Sequence, residues 1–219
     1  MKPSLVVAMP SFFHKSTLTE NLVRVTLGEE KDNIFKNRYT LMTNYLIVPG
    51  LGGSGPGHWQ TYFESTGDNF RRIIQKDWDA PDINEWVETI DTAISQYDPD
   101  TVVLVGHSLG CPTIAIWASH TNKKIKGALL VAPPDIEAFR EKSQITLFKS
   151  LPTDKINFPT IVVASTNDHW SGIQKAEFYA LQWGSEFINI GEAGHINDLS
   201  GYGKWEEGLK ILHRLGIEH

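Results

Sequence analysis

The sequence predicts an α/β domain of three layers, doubly wound around a mostly parallel sheet of about six strands. Two observations carry that expectation. From Tyr45 onward, short apolar runs rich in β-formers alternate with segments of helical periodicity, and such alternation implies βαβ crossovers. Several of those runs are continuously apolar, as strands covered on both faces of a parallel sheet should be. The 219 residues suit one domain with a full core and are short for two.

The predicted strands are YLIVP at 45–49, RRIIQ at 71–75, TVVLVG at 101–106, GALLVA at 127–132, TIVVAS at 160–165 and EFINI at 186–190. Helices are expected over 57–66, 83–97, 109–121, 171–183 and 204–215. In 83–97 the residues Ile83, Trp86, Val87, Ile90, Ala93 and Ile94 recur at helical spacing and give one apolar face. The stretch 133–158, rich in Pro, Lys and polar residues, reads as a connecting excursion with a short helix at 135–142. No internal repeat or low-complexity tract appears.

The domain is expected to occupy residues 42–219, with 1–41 an N-terminal extension, poorly ordered or not native. MKPSLVVAMPSFFHKS has an early lysine and a brief apolar patch, but Pro10 interrupts it and no clean small-residue cleavage site follows. Met42 stands just before the first convincing strand, so a start placed too far upstream would account for the extension.

Composition narrows the partners. A net charge of -6 and a pI near 5.7 argue against nucleic acid or an anionic membrane. The lone cysteine, Cys111, can form no internal disulfide, so folding needs no oxidising compartment. No apolar stretch approaches the roughly 18–20 residues of a membrane span. A cytoplasmic protein is the expectation.

Ligands of doubly wound sheets bind beyond the carboxyl ends of the strands, so the residues that follow each strand matter most. After the third comes Gly106-His107-Ser108-Leu109-Gly110, a G-x-S-x-G match. In a strand–turn–helix setting this is a nucleophile elbow: a strained turn projects the serine hydroxyl, and glycines let strand and helix approach. Outside that setting Ser108 is merely a small polar residue in a tight connection.

A serine hydroxyl needs a base, and in α/β-hydrolases the order is Ser, then acid, then His. Of the eight histidines, His195 stands on a glycine-flanked loop, INIGEAGHIND, after the last predicted strand. His107 adjoins the serine, where its side chain is expected to point away. The acid that fixes the imidazole is Asp168, in STND just after TIVVA; Asp135, displaced by two prolines, is its rival. Asp198 reads as a cap for the following turn. Oxyanion donors are expected from the backbone of Leu109 and, in the glycine-rich loop PGLGGSGPGHW, of Leu51 or Gly52. That loop lacks the G-K-[ST] ending of a phosphate cradle.

His58 and Trp59 are candidate pocket-lining residues, with a core role for Trp59 equally in view. Trp78, Trp86 and Trp205 read as packing residues, and Cys111 as a buried helix cysteine. No His/carboxylate cluster has metal-ligand spacing, and neither metal nor cofactor is expected.

The segments IVPGLGGSGPGHWQ, DWDAPDINEWV, LVGHSLG, VASTNDHWS and GEAGHINDLSGYGKWEEGL together resemble the small α/β serine hydrolases of the YdeN type, the group that includes retinoblastoma-binding protein nine. The resemblance spans about residues 44–212, in order, and leaves 1–41 unexplained. It implies a compact α/β-hydrolase fold with little or no lid, a triad on Ser108, Asp168 and His195, and esterase-like activity. The expected function is therefore hydrolysis of a small-molecule or peptide acyl substrate, an ester first, through an acyl-enzyme on Ser108. Peptidase or thioesterase chemistry with the same triad, and a binding protein on a hydrolase fold, are the alternatives. A protein partner is left undefined.

Overall fold

The computed structural model describes residues 42–143 and 151–216. The extension expected over 1–41 lies outside the described residues, as does part of the excursion over 133–158. Six strands form one sheet: β1 (Asn44–Val48), β2 (Phe70–Arg72), β3 (Val102–His107), β4 (Gly127–Val131), β5 (Thr160–Ala164) and β6 (Glu186–Asn189). Their order is β2-β1-β3-β4-β5-β6, and every adjoining pair is parallel. The helices are α1 (Trp59–Glu64), α2 (Ile83–Ile94), α3 (Gly110–His120), α4 (Ile136–Ser143), α5 (Ile173–Trp183) and α6 (Glu206–His213).

The continuous apolar runs have the reason expected of them. In β3, Val102 and Leu104 join one core with Ile90 of α2, Trp117 of α3 and Trp183 of α5. Val103 and Val105 join the opposite core with Trp59 and Phe63 of α1 and Leu212 of α6. Period-2 geometry sends alternate residues to opposite faces, so a strand covered twice must be apolar throughout. Each fully buried Val, Leu or Ile contributes about 1.5–3 kcal/mol.

Element ends depart from the expected ones by a few residues, each for a local reason. β2 is shorter than 71–75: Ile73 N–H still donates to Ile47 O at 2.9 Å, but Ile74 is 67% exposed and the chain turns off the sheet edge. α2 starts where Asp82 accepts from the N–H groups of Asn84 and Glu85, and it stops at Ile94 because Asp98 and Pro99 open a 3-10 turn. α5 ends at Gly184, whose φ of 69° lies in the left-handed region.

The chain winds outward from β1 to β2 and, on the other side, from β3 to β6. The winding direction therefore switches between β1 and β3, where the loops at their carboxyl ends diverge and leave a crevice.

Candidate active site

Ser108 follows β3 at that switch point with φ of 51°, a left-handed conformation that costs a non-glycine residue about 1 kcal/mol. Its surroundings hold it there. Ser108 N–H donates to Val131 O at 3.0 Å and Ser108 O accepts from Cys111 N–H at 2.9 Å. Gly110 is sterically required, because a Cβ there would stand 2.1 Å from Val48 O; one on Gly106 would stand 2.8 Å from Ile114 Cδ1 and 3.3 Å from Cys111 N, a tight fit that the Ile114 side chain would have to relieve. Gly50, at the end of β1, approaches just as closely, with its missing Cβ 2.8 Å from Ser108 Cβ and 2.9 Å from Leu109 N.

The structure brings Ser108, His195 and Asp168 into one hydrogen-bonded chain. Ser108 Oγ lies 2.9 Å from His195 Nε2, and His195 Nδ1 lies 2.8 Å from Asp168 Oδ2. The His195 and Asp168 side chains are both buried. With Nδ1–H donated to the carboxylate, Nε2 keeps its lone pair for the serine proton. The second Asp168 oxygen accepts Trp170 N–H at 2.9 Å, which fixes the carboxylate.

The loop bearing His195 is anchored at several points. Ser165 Oγ accepts Ala193 N–H at 2.9 Å, Asn167 Oδ1 accepts Gly194 N–H at 2.7 Å, and Ser200 Oγ accepts His195 N–H at 3.2 Å. A further anchor is Trp59, whose Nε1–H donates to Ile196 O at 2.8 Å. Ile196 needs it, because a β-branched residue at φ of 47° is strained.

Several expectations are corrected here. Trp59 does not line the pocket; it is fully buried against Phe63 and Trp205, where its bulk fills the core behind the histidine loop. Asp135 does not face His195: it accepts from Glu137 and Ala138 N–H and sits 3.7 Å from Lys175. Asp198 is not the cap of its turn; Asn197 is, accepting Ser200 N–H at 3.0 Å, while Asp198 lines the cavity. Gly52 is not an open oxyanion donor, because its N–H is spent on Trp78 O at 3.1 Å.

That leaves Leu51 and Leu109, whose N–H groups have no hydrogen-bond partner among the described residues. Leu51 follows Gly50, which packs against Leu109 N, so the two amides belong to adjoining turns. Arg72 steadies the Leu51 turn: its guanidinium donates to the carbonyls of Gly53 and Ser54 and is paired with Glu64 at 2.7 Å.

A cavity of about 320 Å³ opens beside Ser108 and His195. Phe139 and Trp170 line it together with Ser54, Asn197 and Asp198, and His58 and His107 complete its wall. His107 is the residue that the sequence reading missed. Instead of pointing away, its Nε2 donates to His195 O at 3.0 Å, and its ring centroid lies 5.0 Å from that of His195. Strand parity could have found it. His107 shares a face with Val103 and Val105, and the chain returns over that face between β6 and α6.

Burial, foremost, keeps both extra imidazoles neutral. The His107 pKa falls well below the usual histidine range. His58 is lowered to about 4, with Arg72 and His195 adding to burial and Asp198 partly opposing it. Burial likewise pushes the Cys111 thiol well above its ordinary pKa, and its Sγ–H donates to Val131 O, so it is inert packing. Among the described residues, no group of three or more His, Cys, Asp and Glu is arranged to hold a metal ion. No helix there is long and apolar enough to cross a membrane.

Comparison with known proteins places the family and the fold. The family model described as "Serine hydrolase" matches residues 45–214. A YdeN-like hydrolase from Pectobacterium atrosepticum is 31% identical, with a TM-score of 0.71 over 90% of this chain and 97% of that one. The ydeN gene product of Bacillus subtilis is 19% identical, with a TM-score of 0.68 over 80% and 98%. The RedJ thioesterase of Streptomyces coelicolor, 13% identical with a TM-score of 0.55 over 80% and 89%, shares the fold. No curated protein sequence matches. With a family model covering most of its length and a YdeN-like relative at that identity, the chain belongs to the serine hydrolase family and has the compact α/β-hydrolase fold.

Proposed function

We propose that the protein is a carboxylic ester hydrolase acting through an acyl-enzyme on Ser108. One observation carries the reading: the Asp168–His195–Ser108 chain is continuous at 2.8 and 2.9 Å and ends beside two backbone N–H groups that no described residue occupies. His195 Nε2 takes the Ser108 proton as Oγ attacks the ester carbonyl. The Leu51 and Leu109 N–H groups receive the oxyanion, each supplying about 3–4 kcal/mol judged by losses elsewhere. The imidazolium then protonates the departing alcohol. Asp168 stabilises that cation without taking the proton. Water repeats the cycle on the acyl-enzyme, with His195 again the base.

One feature supports a small substrate, and another the acyl-transfer step. The cavity of about 320 Å³ is near the lower end of ligand pockets. Neutral His58 and His107 place no second cation beside the imidazolium that forms on His195. A cytoplasmic setting and a small-molecule acyl substrate complete the reading.

The test is covalent. A fluorophosphonate probe should label the wild type and leave Ser108→Ala unlabelled, and kcat/KM across p-nitrophenyl esters should peak at short acyl chains. An unlabelled wild type, or equal labelling of Ser108→Ala, refutes the nucleophile. Thioester and peptide substrates assayed alongside separate the other two acyl-transfer chemistries.

A further inference from the structure

His58 stands on the wall of the cavity that holds Ser108, yet no step of acyl transfer uses it. The residue is 4% exposed. The two ring nitrogens are in different states. Nδ1 accepts Gln60 N–H at 3.1 Å, so it carries no proton, and in the neutral ring the proton sits on Nε2. That Nε2 is buried and has no hydrogen-bond partner among the described residues. Its neighbour His107 offers only an edge-on ring at 4.5 Å, with its own Nε2 committed to His195 O. A donor buried in this way is normally paired.

We propose that His58 Nε2–H forms a polar subsite beside Ser108, which binds an uncharged hydrogen-bond acceptor of the substrate, an ether, hydroxyl or carbonyl oxygen beyond the scissile ester. This rests on the ester hydrolase reading and narrows its substrate class from plain alkyl esters to oxygen-bearing ones. The Asp198 carboxylate, which lines the same cavity, is what excludes an anionic acceptor: its field already favours positive charge at His58. Burial holds the ring neutral down to about pH 4, so the donor is single and its direction fixed. A site built to pair with a substrate oxygen discriminates against the isostere that lacks it, because the buried donor is then left unpaired.

Two isosteric ester pairs test this by exchanging one CH₂ for oxygen. p-Nitrophenyl methoxyacetate against p-nitrophenyl butyrate places the oxygen in the acyl part. 2-Methoxyethyl acetate against butyl acetate places it in the alcohol. The readout is the ether-to-alkyl ratio of kcat/KM in each variant divided by the same ratio in the wild type, which cancels intrinsic reactivity. His58→Asn keeps an acceptor where Nδ1 caps α1 but ends short of Nε2. Its ratio should fall roughly tenfold in at least one pair. His58→Gln loses the cap but restores an N–H near Nε2, and its ratio should stay within about twofold of wild type. A merely structural histidine would slow both members of each pair alike.

Unchanged ratios in His58→Asn for both pairs overturn the subsite while leaving the hydrolase reading intact. A ratio in His58→Gln that falls as far as in His58→Asn overturns the donor assignment. A wild type that turns over none of the four esters overturns the subsite and the ester hydrolase reading together.

Discussion

Replacing His58 by Asn should make the protein lose less stability in acid than the wild type does. The sign follows from the proton inventory. In the unfolded chain the imidazole titrates near 6.5, whereas in the folded protein burial lowers it to about 4. Between those values the unfolded state binds the extra proton. The stability present above the unfolded pKa is therefore lost as pH falls toward the folded one, and no more is lost below it. Integrating over that window, His58 removes roughly 2 kcal/mol between pH 7 and pH 5, out of about 3 kcal/mol available by pH 4. His107 is also lowered mainly by burial, with His195 and His58 adding to it, so removing His58 relaxes part of that shift and changes the difference in the same direction. Carboxylates held low by lysines, such as Glu137 beside Lys175, are common to both, so their effects cancel. Urea unfolding at pH 7 and pH 5 gives the four free energies needed. The wild type should lose about 2 kcal/mol more than His58→Asn. Equal losses would mean that His58 is not held neutral by the fold, and the fixed Nε2 donor would fall with it.

Two further substitutions probe the reacting chain and its support. Asp168→Asn should lower kcat by about 10³–10⁴ with little change in KM or in far-UV circular dichroism, because a neutral amide neither holds Nδ1–H as firmly nor stabilises the imidazolium; steady-state kinetics that show less than a tenfold loss would remove Asp168 from the mechanism. Trp59→Phe keeps an aromatic ring in the core but leaves Ile196 O without its donor, which should cost about 1–3 kcal/mol in urea unfolding. It should also lower kcat, because the histidine loop loses an anchor; full activity alongside lost stability would confine Trp59 to packing.

The strands and the three reacting side chains were legible because the physics that places them is local. A strand buried on both faces must be apolar, and an elbow at β3 must be glycine-bounded. A histidine loop before the last helix must turn tightly. What was not legible depends on returns through space. Gly52 looked equivalent to Leu51 until Trp78, 26 positions on in the chain, was seen to accept its N–H. Pocket and core were equally open for Trp59 because it follows His58, but His58 is the extended N-cap of α1 and Trp59 its first helical residue, so their side chains diverge. That sends His58 to the cavity and Trp59 to the core. His107 was misplaced because the carbonyl it bonds belongs to a residue 88 positions away.

Backbone strain shows how the fold and the site are joined. Among the described residues, the non-glycine positions with positive φ are Ser54, Ser108, Ala132 and Ile196. They follow β1, β3, β4 and β6, all on the carboxyl edge of the sheet. A left-handed residue costs of order 1–3 kcal/mol and persists only where its surroundings over-determine it. Each of these has such a surrounding: Arg72 and Gln60 bond Ser54, Val131 bonds Ser108, Val163 bonds Ala132, and Trp59 bonds Ile196. The strain aims the Ser108 hydroxyl and holds the His195 imidazole against it at 2.9 Å. Ser108 carries the hydroxyl and Ile196 adjoins His195, so relaxing either of these two would move one end of that contact. Trp59, which stays off the cavity wall, thus sets the geometry of the chemistry as surely as the residues that carry it.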